Sequence, residues 1–157
     1  MKRWLLIAGR LTLAGIFLYA GYEKFRAPWL QFAISVDSFK AVPDSWIEPI
    51  ARTLPICEIL LGVALLSSLL ARWFSLIATL LLTLFLSVGI RAYAKGLQVD
   101  CGCFGAGKSE GIDAKWFAEH GAMVALALAV TVGYFLMARK RRYRDASRAY
   151  SQPVLEL

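Results

Sequence analysis

The run 74–94, FSLIATLLLTLFLSVGIRAYA, carries no charge before Arg91 near its end. It has the length of about 20 apolar residues that a helix needs to cross a bilayer. In hydrocarbon a single segment satisfies its own backbone groups only as a helix. Three further runs share this character, at 4–22, 50–70 and 117–138. Of the 157 residues, 59% are hydrophobic and the mean hydropathy is +0.57, too apolar for an ordinary soluble domain. The four runs and their short connections use nearly all of the chain and leave no room within it for a second soluble domain. The expected fold is all-α: a polytopic membrane four-helix bundle over 1–138, with a basic cytoplasmic tail over 139–157. The first run follows Met1-Lys2-Arg3 as a secretory signal would. It contains Arg10, runs long and lacks a clean small-x-small cleavage site, so it reads as a retained helix.

The net charge of +7 is unevenly spread. Arg139-Lys140-Arg141-Arg142-Tyr143-Arg144, with Arg148, hold most of the excess. Lys2 and Arg3 lie at the other terminus, and Arg72 lies in the turn between the second and third runs. The two remaining connections are balanced: Lys24, Arg26, Lys40 and Arg52 face Glu23, Asp37, Asp44 and Glu48, and Lys95, Lys108 and Lys115 face Asp100, Glu110 and Asp113. The positive-inside rule then sets both termini and the Arg72 turn in the cytoplasm, and the connections 23–50 and 95–116 outside. A basic tail beside a membrane anchors topology and attracts anionic lipid, so the partner is the lipid bilayer and no nucleic acid.

The first outer connection has its own pattern. After Pro28, Trp29, Phe32, Val36 and Phe39 recur at helical spacing, which predicts a short helix lying at the interface or folded over the bundle mouth. Pro43 is expected to end it, Ser45-x-x-Glu48 to form a capping box for the next helix, and Pro55 to kink that helix. This segment reads either as a packed lid with no chemistry or as a cover over a thiol or quinone site.

The second outer connection holds Cys101-Gly102-Cys103-Phe104-Gly105. Thiols facing an oxidising compartment form disulfides. A bridge across one residue is hard to bring to ideal geometry, and Gly102 relaxes the backbone between the two thiols. Strained, exposed disulfides exchange readily, whereas a staple closing so small a loop would constrain almost no chain entropy. The pair therefore reads as an exchanging disulfide. The competing reading is soft-metal binding; with histidine and further cysteine partners missing, no metal is expected. Cys57, in the outer half of the second run, reads either as a small buried hydrophobe or as a third redox thiol beside Glu58.

Ionisable side chains inside spans are costly and mark pairs or functional sites. Glu58, Arg91, Lys24, Glu119 and His120 all fall in the outer half and are expected to form one polar cluster below the cysteines. It reads as a structural ion pair, Glu58 with Lys24 or Arg91, or as a group that tunes thiolates or relays protons. Arg10, on the cytoplasmic side, is expected to snorkel or pair with helix ends, and His120 to lie at the surface. Gly9, Gly15, Gly21, Gly62, Gly89 and Gly133 suit close helix packing. Trp4, Tyr22, Trp73, Tyr93 and Trp116 suit interfacial belts.

The chain resembles the MauE branch of the DoxX-like redox-associated membrane proteins, from Arg10 through the fourth run. The match rests on Cys101-Gly102-Cys103-Phe104-Gly105. Arg10 with Ala14-Gly15 and Phe17, Gly21-x-x-Lys24, and Leu54-Pro55-x-x-Glu58 with Gly62 support it. The resemblance implies a four-helix membrane protein that serves maturation of a disulfide-rich periplasmic methylamine dehydrogenase subunit beside a thioredoxin-like partner. It also implies a likeness to the four-helix core of quinone-using disulfide-bond and vitamin K epoxide reductase proteins, which makes a quinone the candidate cofactor. The chain departs at Trp116-Phe117-Ala118-Glu119-His120, where an Arg-Asp-like pair is expected, and lacks the second cysteine pair of the quinone-coupled enzymes.

The expected function is a thiol–disulfide oxidoreductase of the bacterial inner membrane. Cys101 and Cys103 would exchange disulfides with a periplasmic thioredoxin-like protein or a disulfide-rich client. Cys57, Glu58 and Lys24 complete the candidate catalytic set. Two other classes remain open: a soft-metal carrier using the three cysteines, and a non-catalytic assembly subunit. The charge asymmetry generates a direct test. Reporter fusions after Leu157 and in the Arg72 turn should report cytoplasm, and fusions near Gly107 the outside. A cytoplasmic signal at Gly107 would remove the compartment on which the redox reading depends.

Overall fold

The computed structural model describes residues 3–67, 70–97, 99 and 112–151. Among them the chain forms five helices and no strand: α1 (Arg3–Arg26), α2 (Trp29–Ser38), α3 (Asp44–Leu66), α4 (Ala71–Ala94) and α5 (Ala114–Ser151). Four of these, α1, α3, α4 and α5, are long and apolar enough to cross a membrane. α1 packs most extensively on α3 and α4 on α5; contacts of α1 with α5 and of α3 with α4 close the ring. The chain is a multi-pass four-helix bundle with α2 added at one end.

The core is apolar and contributed by all four long helices. Leu13, Ala14 and Phe17 of α1 meet Leu61 and Leu65 of α3, Ala78 and Leu82 of α4, and Ala127 and Val130 of α5. The outward faces are apolar as well: Leu60, Val63, Ile77, Leu80, Leu84, Val132 and Leu136 are all exposed. Such a continuous apolar exterior suits lipid and not water. Because lipid is as apolar as the core, burial of apolar surface does not by itself drive these helices together; close backbone approach and interhelical hydrogen bonds do. One such bond joins the buried hydroxyls of Thr79 and Thr131, 3.0 Å apart, across α4 and α5.

Close approach is clearest between α1 and α3. A Cβ on Gly21 would stand 2.8 Å from the Ile59 side chain and 2.9 Å from the Pro55 carbonyl oxygen. A Cβ on Gly62 would stand 2.7 Å from the Leu18 side chain. Each helix thus presses onto a glycine of the other. Gly15 does not share this role, since nothing lies within 4 Å of its missing Cβ; it is not part of the seam that the sequence suggested.

The short helix of the first connection is present and lies against α3. Phe32 and Ala33 bury against Ala51, with Val36, Ile47 and Leu54 packed around them. Trp29, at its start, lies under the guanidinium of Arg52, 4.4 Å from the ring centre. Its end differs from expectation. α2 stops at Ser38, and Lys40 takes a left-handed conformation with φ of 44°; the Lys40 amide donates to the Asp37 carbonyl and its ammonium pairs with the Asp37 carboxylate at 2.6 Å. Pro43 does not end α2 but stands at the N-cap of α3, with no side-chain cap. The expected capping box fails for the same reason, because Ser45 already lies inside a helix that begins at Asp44. α3 then runs unbroken through Pro49 and Pro55. At the other end of the bundle, α5 continues as helix past the apolar run, through the basic segment to Ser151.

The α1–α3 seam yields a prediction. Gly21→Ala forces a methyl against a backbone oxygen and should destabilise the protein by about 1–3 kcal/mol. Gly15→Ala meets open space and should be neutral or stabilising by roughly 0.5–1 kcal/mol. Unfolding of both variants in mild detergent measures the difference; equal effects would show that the seam does not depend on Gly21.

Candidate functional site

Lys24 lies in the last turn of α1, and Glu58 lies in the second half of α3. The Lys24 ammonium donates to both Glu58 carboxylate oxygens, at 2.9 and 2.8 Å, and the two side chains are only 3% and 1% exposed. Two carboxylate oxygens on one ammonium are the geometry that a fully desolvated pair requires, because each remaining unbonded charge would be left in a medium of low dielectric constant. The aromatic rings of Phe32 from α2 and Phe85 from α4 flank the ammonium, with centres at 5.6 and 5.9 Å, and ring faces attract cations. His120 of α5 lines the same small cavity together with Phe17 and Met123. All five helices therefore converge on one buried charge pair.

His120 is buried, not at the surface as the sequence suggested. Its ring stacks on Trp116 at 4.0 Å between centres. Its Nδ1 lies 2.9 Å from the Trp116 carbonyl; a carbonyl only accepts, so Nδ1 carries the hydrogen. The cause lies in α4. Gly89 leaves a slot that the Trp116 indole fills, and any Cβ there would overlap the ring. Asp113 caps the same turn, accepting from the Trp116 amide at 2.7 Å as a helix-starting aspartate does. Trp116 is thus drawn out of the interfacial belt and into the bundle, and His120, one turn on, is buried with it. Trp4, Tyr22, Trp73 and Tyr93 remain exposed.

The expected five-membered polar cluster contracts to three. Arg91 is exposed and does not reach Glu58, whose partner is Lys24. Glu119 is also exposed, 3.9 Å from Lys115 one turn away on α5. Helical rotation separates both from the inward face. Cys57 immediately precedes Glu58, yet it lies on the exposed side of α3 as a free thiol. It is neither the buried hydrophobe considered from the sequence nor a member of the charge pair. Cys101 and Cys103, and the disulfide expected between them, lie outside the described residues. Their attachment points are described: α4 ends at Ala94 and α5 starts at Ala114, and Tyr93 meets Phe117 edge to face at 5.3 Å. The connection that carries the cysteines therefore leaves and re-enters at the Lys24–Glu58 end of the bundle.

A second, larger cavity of about 340 Å³ lies between α2 and the bundle. Phe32, Val36, Phe39, Leu54, Phe85 and Val88 line it, with Lys24 and Trp116 as its polar members. The indole Nε1 of Trp116 is buried with no hydrogen-bond partner among the described residues. Phe85, Gly89 and Trp116 were not singled out for the site from sequence. Within a uniformly apolar run, a phenylalanine facing a lysine looks like one facing lipid.

The charge pair predicts strong coupling. Lys24→Met leaves a buried carboxylate alone and should cost about 3–5 kcal/mol; Glu58→Leu leaves the ammonium alone and should cost a similar amount. The double variant should recover most of that loss. Thermal unfolding of the four proteins in detergent gives the coupling, and simple additivity would mean that the pair does not form.

The match with known proteins covers nearly the whole chain. Residues 2–137 match the family model for the methylamine utilisation protein MauE. The chain is 30% identical over 125 residues to the methylamine utilization protein MauE of Paracoccus denitrificans, covering 79% of this chain and 67% of that protein. No solved structure matches. With four spanning helices and a family match of this extent, the chain belongs to the MauE family of methylamine utilisation proteins.

Proposed function

We propose that this MauE-family protein is a thiol–disulfide oxidoreductase of the bacterial inner membrane, working on a periplasmic thioredoxin-like partner or a maturing disulfide-rich client. The observation that carries this reading is the Cys101-Gly102-Cys103 sequence in the connection between α4 and α5, at the end of the bundle where Lys24, Glu58 and His120 are buried. A methylamine utilisation role for its relatives supports a client in that system.

The exchange conserves atoms and electrons. A partner thiolate attacks one sulfur of the Cys101–Cys103 disulfide; a mixed disulfide forms and the other loop sulfur leaves as a thiolate. The partner's second thiolate then attacks the mixed disulfide. The partner departs oxidised, and the loop carries two thiols and two more electrons. Run in reverse, the same steps deliver reductant outward. Lys24 and Glu58 act in this reading as a rigid floor that fixes the end of α1 against α3. Cys57, on the exposed face of α3, is a third thiol outside that floor.

A membrane quinone fits the cavity beneath α2: its walls are apolar, and the Trp116 Nε1–H is a buried donor without a partner among the described residues. Bound there between Phe32 and Phe85, a quinone would supply a two-electron acceptor for the reduced loop, while the chain's own residues hold it and exclude water.

Trapping tests the exchange. One of Cys101→Ser and Cys103→Ser should accumulate a reducible, higher-mass species containing a thioredoxin-like protein or a disulfide-rich client, and the other should not. In the direction that delivers reductant, one loop sulfur attacks the partner's disulfide and the other resolves, so only loss of the resolving thiol holds the intermediate. Cys57→Ser should leave trapping intact. If neither loop variant traps and both lose bound copper or zinc, the protein is a soft-metal carrier. If the double cysteine variant keeps full activity, it is a non-catalytic assembly subunit.

A further inference from the structure

The opposite end of the bundle carries a second site. A cavity of about 410 Å³ opens there between the start of α1, the turn from α3 to α4, and the end of the apolar part of α5. Arg3, Arg10, Arg72 and Arg141, drawn from three different helices, all line it, and no carboxylate does so among the described residues. Four arginines lining one cavity bring like charges near one another, which is unfavourable unless an anion or solvent intervenes.

Two independent observations concern residues that line this cavity. Arg10 is more than nine-tenths buried, at 7% exposure. One of its terminal nitrogens donates to the Ser67 carbonyl at the end of α3, 3.1 Å away, which matches the negative end of a helix dipole. Its Nε has no partner at all among the described residues. A guanidinium N–H in that setting is a costly vacancy unless something accepts from it. The second observation is the start of α4. Leu70 stands at its N-cap and supplies no side-chain cap, and Leu70, Ala71 and Arg72 line the same cavity. Helix N-termini attract anions.

The walls say which anion. Leu6, Ile7, Leu70 and Met137 give the cavity an apolar side beside its arginines. All of these lie at the ends of membrane-spanning helices, where lipid headgroups are found. A free phosphate would use the arginines and leave the apolar wall idle; a phospholipid uses both. We propose that this cavity binds the phosphodiester headgroup of an anionic phospholipid, with Arg10 and Arg72 at the phosphate, Arg3 and Arg141 at the rim, and the acyl chains leaving past Leu6, Ile7 and Met137. Basic pockets between spanning helices on the cytoplasmic side bind such headgroups. The site is separate from the proposed disulfide chemistry and does not depend on it.

Native mass spectrometry of the full chain, released from mild detergent after incubation with phosphatidylglycerol or phosphatidylcholine, reads the site. Wild-type protein should retain phosphatidylglycerol and not phosphatidylcholine. Arg72→Gln with Arg141→Gln should weaken retention by about 30-fold, the loss expected for two basic groups at a membrane surface. Arg144→Gln, in the same basic segment but outside the cavity, should not change it. Arg10 is left intact because it also holds the end of α3. A thermal-shift series with the delipidated protein identifies the source of the anion. Phosphatidylglycerol should raise the melting temperature of wild type and not of the double variant. Inorganic phosphate at the same concentration should give little shift. Equal retention of both lipids, no effect of the double substitution, or a full shift from inorganic phosphate alone would each overturn the assignment.

Discussion

A lysine and a glutamate carried into a hydrocarbon layer must meet there, because neither charge has water to fall back on. In this bundle they meet at 2.8 Å, and the rest of that half of the bundle is arranged around the contact. Lys24 ties the end of α1 to α3, where Glu58 lies. The rings of Phe32 and Phe85 bring α2 and α4 to the same ammonium. His120, buried behind Trp116, brings α5. Burial of apolar surface could not select this arrangement, since lipid offers the same apolar contacts that the core does. A desolvated ion pair can, because almost any other arrangement strands a charge.

The pair works together with glycines that let the helices close. Gly21 lies one turn before Lys24 on α1, and Glu58 lies between the two α3 residues, Pro55 and Ile59, that press on Gly21. The contact that brings the two backbones together is thus the contact that brings the two charges together. Gly89 performs the equivalent task on the other side of the bundle. The space it leaves takes Trp116, and the stacked His120 follows. Charge pairing and backbone approach are therefore coupled, and neither helix can move away without loss of both.

The two ends of the bundle are built for different surroundings. One has a helical cover, an apolar cavity, a buried charge pair and the connection that contains Cys101 and Cys103. The other has arginines from three helices, a helix N-terminus without a side-chain cap and a long basic helix leading away from the spans. Arg10 serves that second end as Lys24 serves the first: each is a buried cation near the limit of a span. Lys24 has a carboxylate partner, whereas Arg10 has a helix-terminal carbonyl and an Nε without a partner among the described residues.

Much of this was legible in the residues alone. Runs of about 20 apolar residues impose spanning helices, since a bilayer permits no other way to satisfy a backbone in one segment. The cost of intramembrane charge narrowed Glu58 to two partners, one of them Lys24, and pointed Arg10 toward a helix end. The stripe through Phe32 and Val36 announced the cover helix, because that segment is amphipathic. Facing within the spans was not legible. In a soluble helix the apolar stripe marks the inside, but here both sides are apolar, so Arg91 and Cys57 gave no sign of lying outside, nor His120 and Trp116 of lying inside. The boundary at Pro43 was misread for a local reason, since Lys40 ended α2 by a left-handed turn that its residue type does not advertise. Hydrophobic composition determined that the chain crosses the membrane and how many times. Which side chains meet was decided in three dimensions, by glycines that admit a neighbour and by charges that had to find one.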